Sequence, residues 1–177
     1  MHIIIDGYNL IRQSDSLRRF ERLGLEKGRT ELIKRLAPYR KLKGHRVTVV
    51  FDGWIGGPLR EERQQEAGIR IIYSKRGEKA DEVIKRIARR GSGEELVVVT
   101  SDREIAEAVG RSGGVAIASP EFETRMIAEG ESALLGEKGV SPEDDDDEEE
   151  IRRGGKKGPS RRLSKKERLT ERRRRKL

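Results

Sequence analysis

Three consecutive isoleucines running into a carboxylate constrain this chain more than anything else in it. Ile3-Ile4-Ile5-Asp6-Gly7-Tyr8-Asn9 reads as a strand with no polar face, which has to lie inside a sheet covered on both sides. Gly7 permits a sharp turn off that strand. Asp6 then stands at the strand's carboxyl end, and in parallel α/β sheets ligands bind along that edge. One aspartate there carries little weight, because turn-forming aspartates are common at strand ends. What matters is whether other carboxylates reach the same edge.

The rest of the chain alternates strands with helices. Arg46 to Phe51, Ile69 to Tyr73, Leu96 to Thr100 and Val115 to Ala118 read as four further strands. Residues 10–23 form a polar, Arg-rich connection with room for a short helix. Leu25, Leu32, Ile33, Leu36 and Tyr39 recur at helical spacing between Glu26 and Lys43, and Gly44 stops that helix. Ala80, Val83, Ile84, Ile87 and Ala88 mark a helix from Lys79 to about Arg90. Ser101-Asp102-Arg103-Glu104 has the form of a capping box with Ser101 as N-cap. Ser119-Pro120 opens the last helix, with proline at its first position, and the helix fades after Leu135. Such alternation implies a parallel sheet with right-handed crossovers and helices on both faces.

Charge divides the chain. Hydrophobic residues are 33% and charged residues 41% of the whole, which leaves too little apolar surface for all of it to pack. Residues 141–150 hold eight acids and no base, and residues 151–177 hold 14 Lys+Arg and two acids. Residues 1–140 carry a net charge of only +4 of the total +8. The expected division is a folded domain over residues 1–138 and a disordered tail over residues 139–177, acidic and then basic. A basic tail suits a polyanionic partner. There is no cysteine, so thiol nucleophiles and zinc–thiolate sites are excluded. Met1 leads directly into a strand, and no apolar run approaches the ~20 residues of a membrane helix. A soluble, cytoplasmic protein with no membrane partner is expected.

Four strands each deliver one aspartate to the common edge. Asp6, Asp52 and Asp102 follow the first, second and fourth strands, and Asp81 opens the helix after the third. Glu78 is near enough in sequence to add a fifth acid. Each aspartate alone has a plainer role, in a turn or at a helix N-terminus. Together they repel unless protonated or neutralised by a cation, and hard oxygen donors on loop ends suit Mg²⁺ or Mn²⁺. Asn9 adds an amide to orient a ligand or a water. The two histidines, His2 and His45, fall at the opposite ends of their strands, which argues against metal-independent histidine chemistry. No phosphate-binding glycine loop is present. Metal-assisted hydrolysis of a phosphodiester by an activated water remains.

Arg29 falls on an apolar helical stripe near the same edge. It suits a phosphate contact, a brace for a carboxylate, or a stem covering apolar surface. Trp54, between Asp-Gly and Gly-Gly, reads as exposed to substrate, whereas Tyr8 reads as packed. Lys75 and Arg76 are solvated charges within reach of a nucleic-acid backbone, and Ser101 neighbours Asp102.

Ile5-Asp6-Gly7-Tyr8-Asn9, Val49-Val50-Phe51-Asp52-Gly53, Glu78-Lys79-Ala80-Asp81 and Thr100-Ser101-Asp102, in that order, resemble the motifs of the NYN domain family, most closely its YacP-like branch. The resemblance covers roughly residues 1–135. It implies a PIN-like three-layer α/β sandwich around a central, mostly parallel five-stranded sheet. It also implies divalent-metal-dependent endonucleolytic cleavage of RNA, mRNA or another single-stranded RNA, with the ribosome as an associated partner. Carried onto this sequence, the catalytic set is Asp6, Asn9, Asp52, Asp81 and Asp102, the four aspartates being the metal ligands. Arg29, Trp54, Lys75, Arg76 and Ser101 are the substrate-binding candidates.

Two other readings compete. A non-catalytic RNA- or ribosome-binding adaptor would not need to gather acids where phosphates go. A phosphoryl-receiver domain needs paired acids after the first strand and a lysine after the fifth. Here the first strand offers one acid and the fifth leads to Ser119-Pro120. Adjacent opposite charges in the tail predict that residues 141–150 compete with RNA for the basic segment. Deleting them is therefore expected to tighten RNA binding at fixed salt, and an unchanged affinity sinks that idea.

Overall fold

The computed structural model describes residues 1–53, 57–90, 95–137 and 165–177. Its elements run in the order β1 (His2–Asp6), α1 (Gly7–Gln13), α2 (Asp15–Arg22), α3 (Leu25–Lys43), β2 (Arg46–Phe51), β3 (Glu62–Glu66), β4 (Ile69–Tyr73), α4 (Ala80–Arg90), β5 (Leu96–Val99), α5 (Arg103–Arg111), β6 (Val115–Ile117), α6 (Ser119–Glu137) and α7 (Lys165–Arg174). The strands form one sheet in the order β3-β4-β2-β1-β5-β6, parallel except for β3. β1 lies at the centre, paired with β2 on one side and β5 on the other.

Strand alternation builds the two cores of a three-layer sandwich. Ile3, Ile5, Val47, Val49, Val97 and Val99 join Leu32, Leu36, Tyr39 and Phe122 on the face covered by α1, α2, α3 and α6. Ile4, Val50, Ile72 and Val98 join Val83, Ile84, Ile105 and Val109 on the face covered by α4 and α5. Ile3, Ile4 and Ile5 have no solvent exposure at all, as expected of a strand with two buried faces. Gly44 ends α3 in the left-handed region at φ 64°, where a side chain is disfavoured.

The structure corrects the sequence expectations in four places. Among the described residues the sheet has six strands rather than five. The added strand, β3, is Glu-Arg-Gln-Gln-Glu, exposed throughout and lacking the apolar alternation that marks a strand. It is held by its antiparallel ladder to β4 across a two-residue turn, Ala67-Gly68, both at positive φ. Its charged side chains blunt the sheet edge against pairing with another chain. Second, the connection after β1 is two helices, the first beginning at Gly7 itself.

Third, Gly7 is not at positive φ. Glycine is required because a Cβ there would meet the Phe51 ring at 2.3 Å. Fourth, residues 165–177 are not a disordered tail. They form α7 and dock where β2, β5 and β6 begin. Arg173 is buried and donates from Nη1 to the Leu96 and Gly113 carbonyls at 3.1 and 3.0 Å. Leu177 enters the first core, and its carbonyl accepts from Tyr39 Oη at 3.1 Å. Arg125 Nη1 donates to the Arg174 carbonyl at 2.7 Å, and Lys176 pairs with Glu95. Residues 138–164, with the acidic block, lie outside the described residues.

His2 and His45 are structural. Arg46 donates to His2 Nδ1 at 2.8 Å, so the ring proton sits on Nε2, 2.9 Å from Thr48 Oγ1. His45 Nε2 lies 3.0 Å from the Lys176 carbonyl. Among the described residues no helix is long and apolar enough to cross a membrane.

Docking of α7 makes a measurable claim. Arg173→Ala removes the donor from two carbonyls at strand starts and is expected to cost about 1–3 kcal/mol. Exposed Arg172→Ala is expected to stay within about 0.5 kcal/mol. Urea unfolding of the two variants beside the parent chain measures both values.

Candidate active site

Register decides how the acids meet. Asp6, the last residue of the central strand, is level with Val50 of β2, and Ile5 is level with Val99 of β5. Asp52 and Asp102 thus each lie two residues beyond the level of Asp6, one on either side. Strand alternation puts Asp6 on the face of Ile4, the face covered by α4 and α5. Asp81 lies in the first turn of α4, and Asp102 is the residue that caps α5. All four aspartates line one open cleft of about 1030 Å³.

Two of these aspartates also cap helices. Asp6 Oδ1 accepts the Asn9 N–H at 3.2 Å, and Thr100 Oγ1 lies 3.4 Å from Oδ2. Asp102 Oδ1 accepts from the Glu104 and Ile105 amides at 2.7 and 3.1 Å. The N-cap of α5 is therefore Asp102, not Ser101. Capping and lining the cleft are compatible here, because both amide bonds to Asp102 fall on one oxygen. The plainer role of these residues holds the carboxylates in place at the rim.

Electrostatics separates Asp6 from the rest. Burial, and then the neighbouring Asp81 and Asp102 carboxylates, push its pKa up from 3.8 to about 6 despite the Asn9 and Thr100 hydrogen bonds. Asp81 is raised as well, first by burial and then by Asp102. Asp6 and Asp81 thus sit among carboxylates that disfavour their ionisation, an arrangement that gains from a cation. Among the described residues no three acids or histidines close into a ready-made metal cage. That openness is compatible with Mg²⁺, which is usually held by one or two carboxylates, waters and substrate phosphates.

Asn9 ties the rim together. Its Oδ1 accepts from the Ser101 amide at 2.9 Å and from Ser119 Oγ at 2.8 Å. Since a backbone N–H can only donate, the amide orientation is fixed. The Asn9 Nδ2 group is left as the donor, and the residue lines the cleft. Gly53, after Asp52, sits so close to β4 that a Cβ would meet the Ser74 carbonyl at 1.9 Å. Ser74 Oγ holds this contact by accepting the Gly53 amide at 2.8 Å and donating to the Glu78 carbonyl at 2.6 Å.

Of the substrate-binding candidates, Arg29 lines the cleft with the aspartates. Lys75 borders a neighbouring hollow with Glu78, Lys79 and Arg86, and Arg76 lines neither space, its amide bonding the Pro58 carbonyl at 2.8 Å. Ser101 is exposed beside the cleft, its Oγ accepting from the Ser119 amide at 3.2 Å. Trp54 lies outside the described residues. Glu78 is not a fifth acid of the site, because Arg86 pairs with it at 2.5 Å and also engages Glu61. Tyr8 is packed, edge-on to Phe51 with centroids 5.2 Å apart.

Sequence reasoning missed Thr100 and Ser119, which steady Asp6 and Asn9. It also missed Arg12, Tyr73 and the alternate residues Glu62, Gln64 and Glu66 of β3, all of which line the cleft. Tyr73, the last residue of β4, occupies the kind of strand-end position that flagged Asp6, and was readable on that ground.

The chain matches the family model described as "YacP-like NYN domain" over residues 3–175. It is 33% identical over 102 residues to the Bacillus subtilis (strain 168) protein YacP, covering 56% of this chain and 59% of that one. The match thus spans about three fifths of that relative's length. The crystal structure of Rae1 (YacP) from Bacillus subtilis superposes with a TM-score of 0.68 at 26% identity, covering 78% of this chain and 80% of the other. A single-substitution variant of the same protein gives 0.65 at 25% identity, covering 80% and 86%.

The raised Asp6 pKa carries a stability consequence. A carboxyl whose folded pKa exceeds its unfolded value contributes stability below the unfolded value, and that contribution is lost as pH rises through the folded one. For Asp6 the window runs from 3.8 to about 6. In EDTA at pH 8, Asp6→Asn is expected to be more stable than the parent by ~1–3 kcal/mol. At pH 3.5 the gap should close. Urea denaturation at the two pH values measures it, and a destabilised variant at pH 8 contradicts the assignment.

Proposed function

The chain belongs to the YacP-like NYN domain family, and we propose that it is a divalent-metal-dependent endoribonuclease. One observation carries the reading. Four aspartates reach one cleft on the carboxyl edge of the sheet, where neighbouring acids add to burial in raising the pKa of two of them, Asp6 and Asp81. A phosphate-binding protein without metal chemistry has no use for that arrangement, since the acids repel the ligand. The plain statement that the fold is nuclease-like rests on the family. Activity, metal and substrate are our inference.

Asp6, Asp52, Asp81 and Asp102 are the residues that would hold Mg²⁺ or Mn²⁺. A bound divalent ion supplies Lewis-acid stabilisation of the phosphodiester oxygens and lowers the pKa of water. The protein's own groups do the remainder. Asp6 is held at the cleft by the Asn9 amide and by Thr100 Oγ1. Asn9 Nδ2 offers a neutral donor for an attacking water or a phosphate oxygen. Hydrolysis by water is expected to leave a 5′-phosphate and a 3′-hydroxyl. RNA on the ribosome is the proposed setting, on the family resemblance.

The decisive experiment incubates end-labelled RNA with the protein in Mg²⁺, Mn²⁺ or EDTA, beside an Asp6→Asn/Asp102→Asn double variant. Cleavage that needs the metal is expected, with at least a hundredfold loss in the variant, about 3 kcal/mol of transition-state stabilisation. Equal trace cleavage by both proteins would instead support an RNA- or ribosome-binding adaptor. Ribosome-bound mRNA is the second substrate to test, because a site specific for it would leave naked RNA intact.

A further inference from the structure

The cleft contains a cation that the acids do not neutralise. Arg29 sits among the lining residues with Asp6, Asp52, Asp81 and Asp102. Among the described residues no carboxylate lies within ion-pair distance of its guanidinium. Arg12, the other arginine lining the cleft, differs. It pairs with Glu21 at 3.2 Å and is largely exposed.

What holds Arg29 is aromatic. Its guanidinium carbon lies 5.3 Å from the centroid of the Tyr73 ring and 6.0 Å from that of Phe51. These rings stack on each other at 5.7 Å and 22°. Tyr8 closes the array edge-on to Phe51. The array exists because Gly7 has no Cβ to displace the Phe51 ring. Each aromatic thus adjoins or belongs to the element that delivers an acid. Phe51 precedes Asp52, Tyr8 lies between Asp6 and Asn9, and Tyr73 ends the strand before Asp81.

A guanidinium held by ring contacts rather than by an ion pair keeps its N–H donors available. A planar fork of donors facing a cleft is the geometry that binds phosphate. Fixing the group on a ring also keeps it from folding onto the aspartates, where it would neutralise the site. We propose that Arg29 is a phosphate subsite for the nucleic-acid backbone, and that Tyr73, with Phe51 beneath it, is its positioning residue. This rests on the nuclease reading as far as the substrate class goes. The contact is to phosphate, so it adds affinity without base preference.

The test measures binding rather than turnover. A fluorescent single-stranded RNA is titrated with the full-length chain carrying Asp102→Asn, in Mg²⁺, over a range of KCl. In that background Arg29→Ala is expected to weaken binding about tenfold and to lower the salt slope by about one, as loss of one phosphate contact does. Arg29→Lys, which keeps charge without the fork, should recover part of the loss. Tyr73→Leu should reproduce the Arg29→Ala result, and Tyr73→Phe, which keeps the ring, should restore it.

An unchanged affinity and slope in Arg29→Ala overturns the subsite. Should Tyr73→Leu fail to fold, Tyr73→Phe and Arg29→Ala still decide, because a ring-only role requires the first to bind like the parent and the second not to. Intact RNA binding that depends on Arg29, with no metal-dependent cleavage by the unsubstituted chain on naked or ribosome-bound RNA, sinks the nuclease reading while leaving the subsite standing. Absence of RNA binding at low salt overturns both.

Discussion

A buried carboxylate at the end of the central strand is the constraint on which the rest of the structure depends. β1 has neighbours on both sides, so its last residue is lowered into the molecule while Asp52 and Asp102 extend two residues further out. Asp6 keeps only 7% of its surface exposed. Its ionised form is disfavoured by burial and by two neighbouring acids. The fold tolerates this because the two cores on either side of β1 are built from buried apolar side chains. Stability from those cores holds the site in a state its own electrostatics opposes, the usual relation between an active site and its scaffold.

Around Asp6 the polar and apolar groups have separate tasks. Asn9, Thr100 and Ser119 lock the ends of β1, β5 and β6 into one rim by hydrogen bonds. Tyr8, Phe51 and Tyr73 fill the space between β1, β2 and β4 and carry Arg29. Gly7 belongs to both systems. It starts the helix that Asp6 caps, and its missing Cβ is the room in which Phe51 lies. A single methyl group at residue 7 would disturb the helix start, the aromatic array and the placement of Asp52 together.

What the sequence disclosed follows from which signals are local. Buried parallel strands announce themselves as β-branched runs, and the parallel topology then implies that acids after those strands share an edge. That much of the fold and the four aspartates was legible. β3 was not, because an edge strand held only by backbone hydrogen bonds needs no apolar alternation. The pairing of Glu78 with Arg86 was not, because it depends on how α4 lies against the loop before it. Ser-x-x-Glu spacing points to Ser101 as the cap, whereas Asp102, one residue on, accepts the Glu104 and Ile105 amides with a charged oxygen. Lys75 and Arg76 were selected for charge near the rim, and charge alone does not say which way a loop turns.

The last helix changes what the basic charge of this protein means. Fourteen Lys+Arg after residue 150 invite a polyanion on composition alone. Yet Arg173 is buried on two backbone carbonyls, Arg174 pairs with Glu121, and Lys176 with Glu95. Arg173 thereby supplies donors to two carbonyls at the amino edge of the sheet. The two edges of the sheet are thus opposite in design. At the amino edge cations close the structure on itself, whereas at the carboxyl edge anions are held apart and one arginine is kept from them by a ring. The case for a nucleic-acid ligand therefore rests less on the net charge of +8 than on the cleft, where four aspartates gather beside an arginine held against aromatic rings. On the proposed function a metal ion would bind at the aspartates and a phosphate group at Arg29.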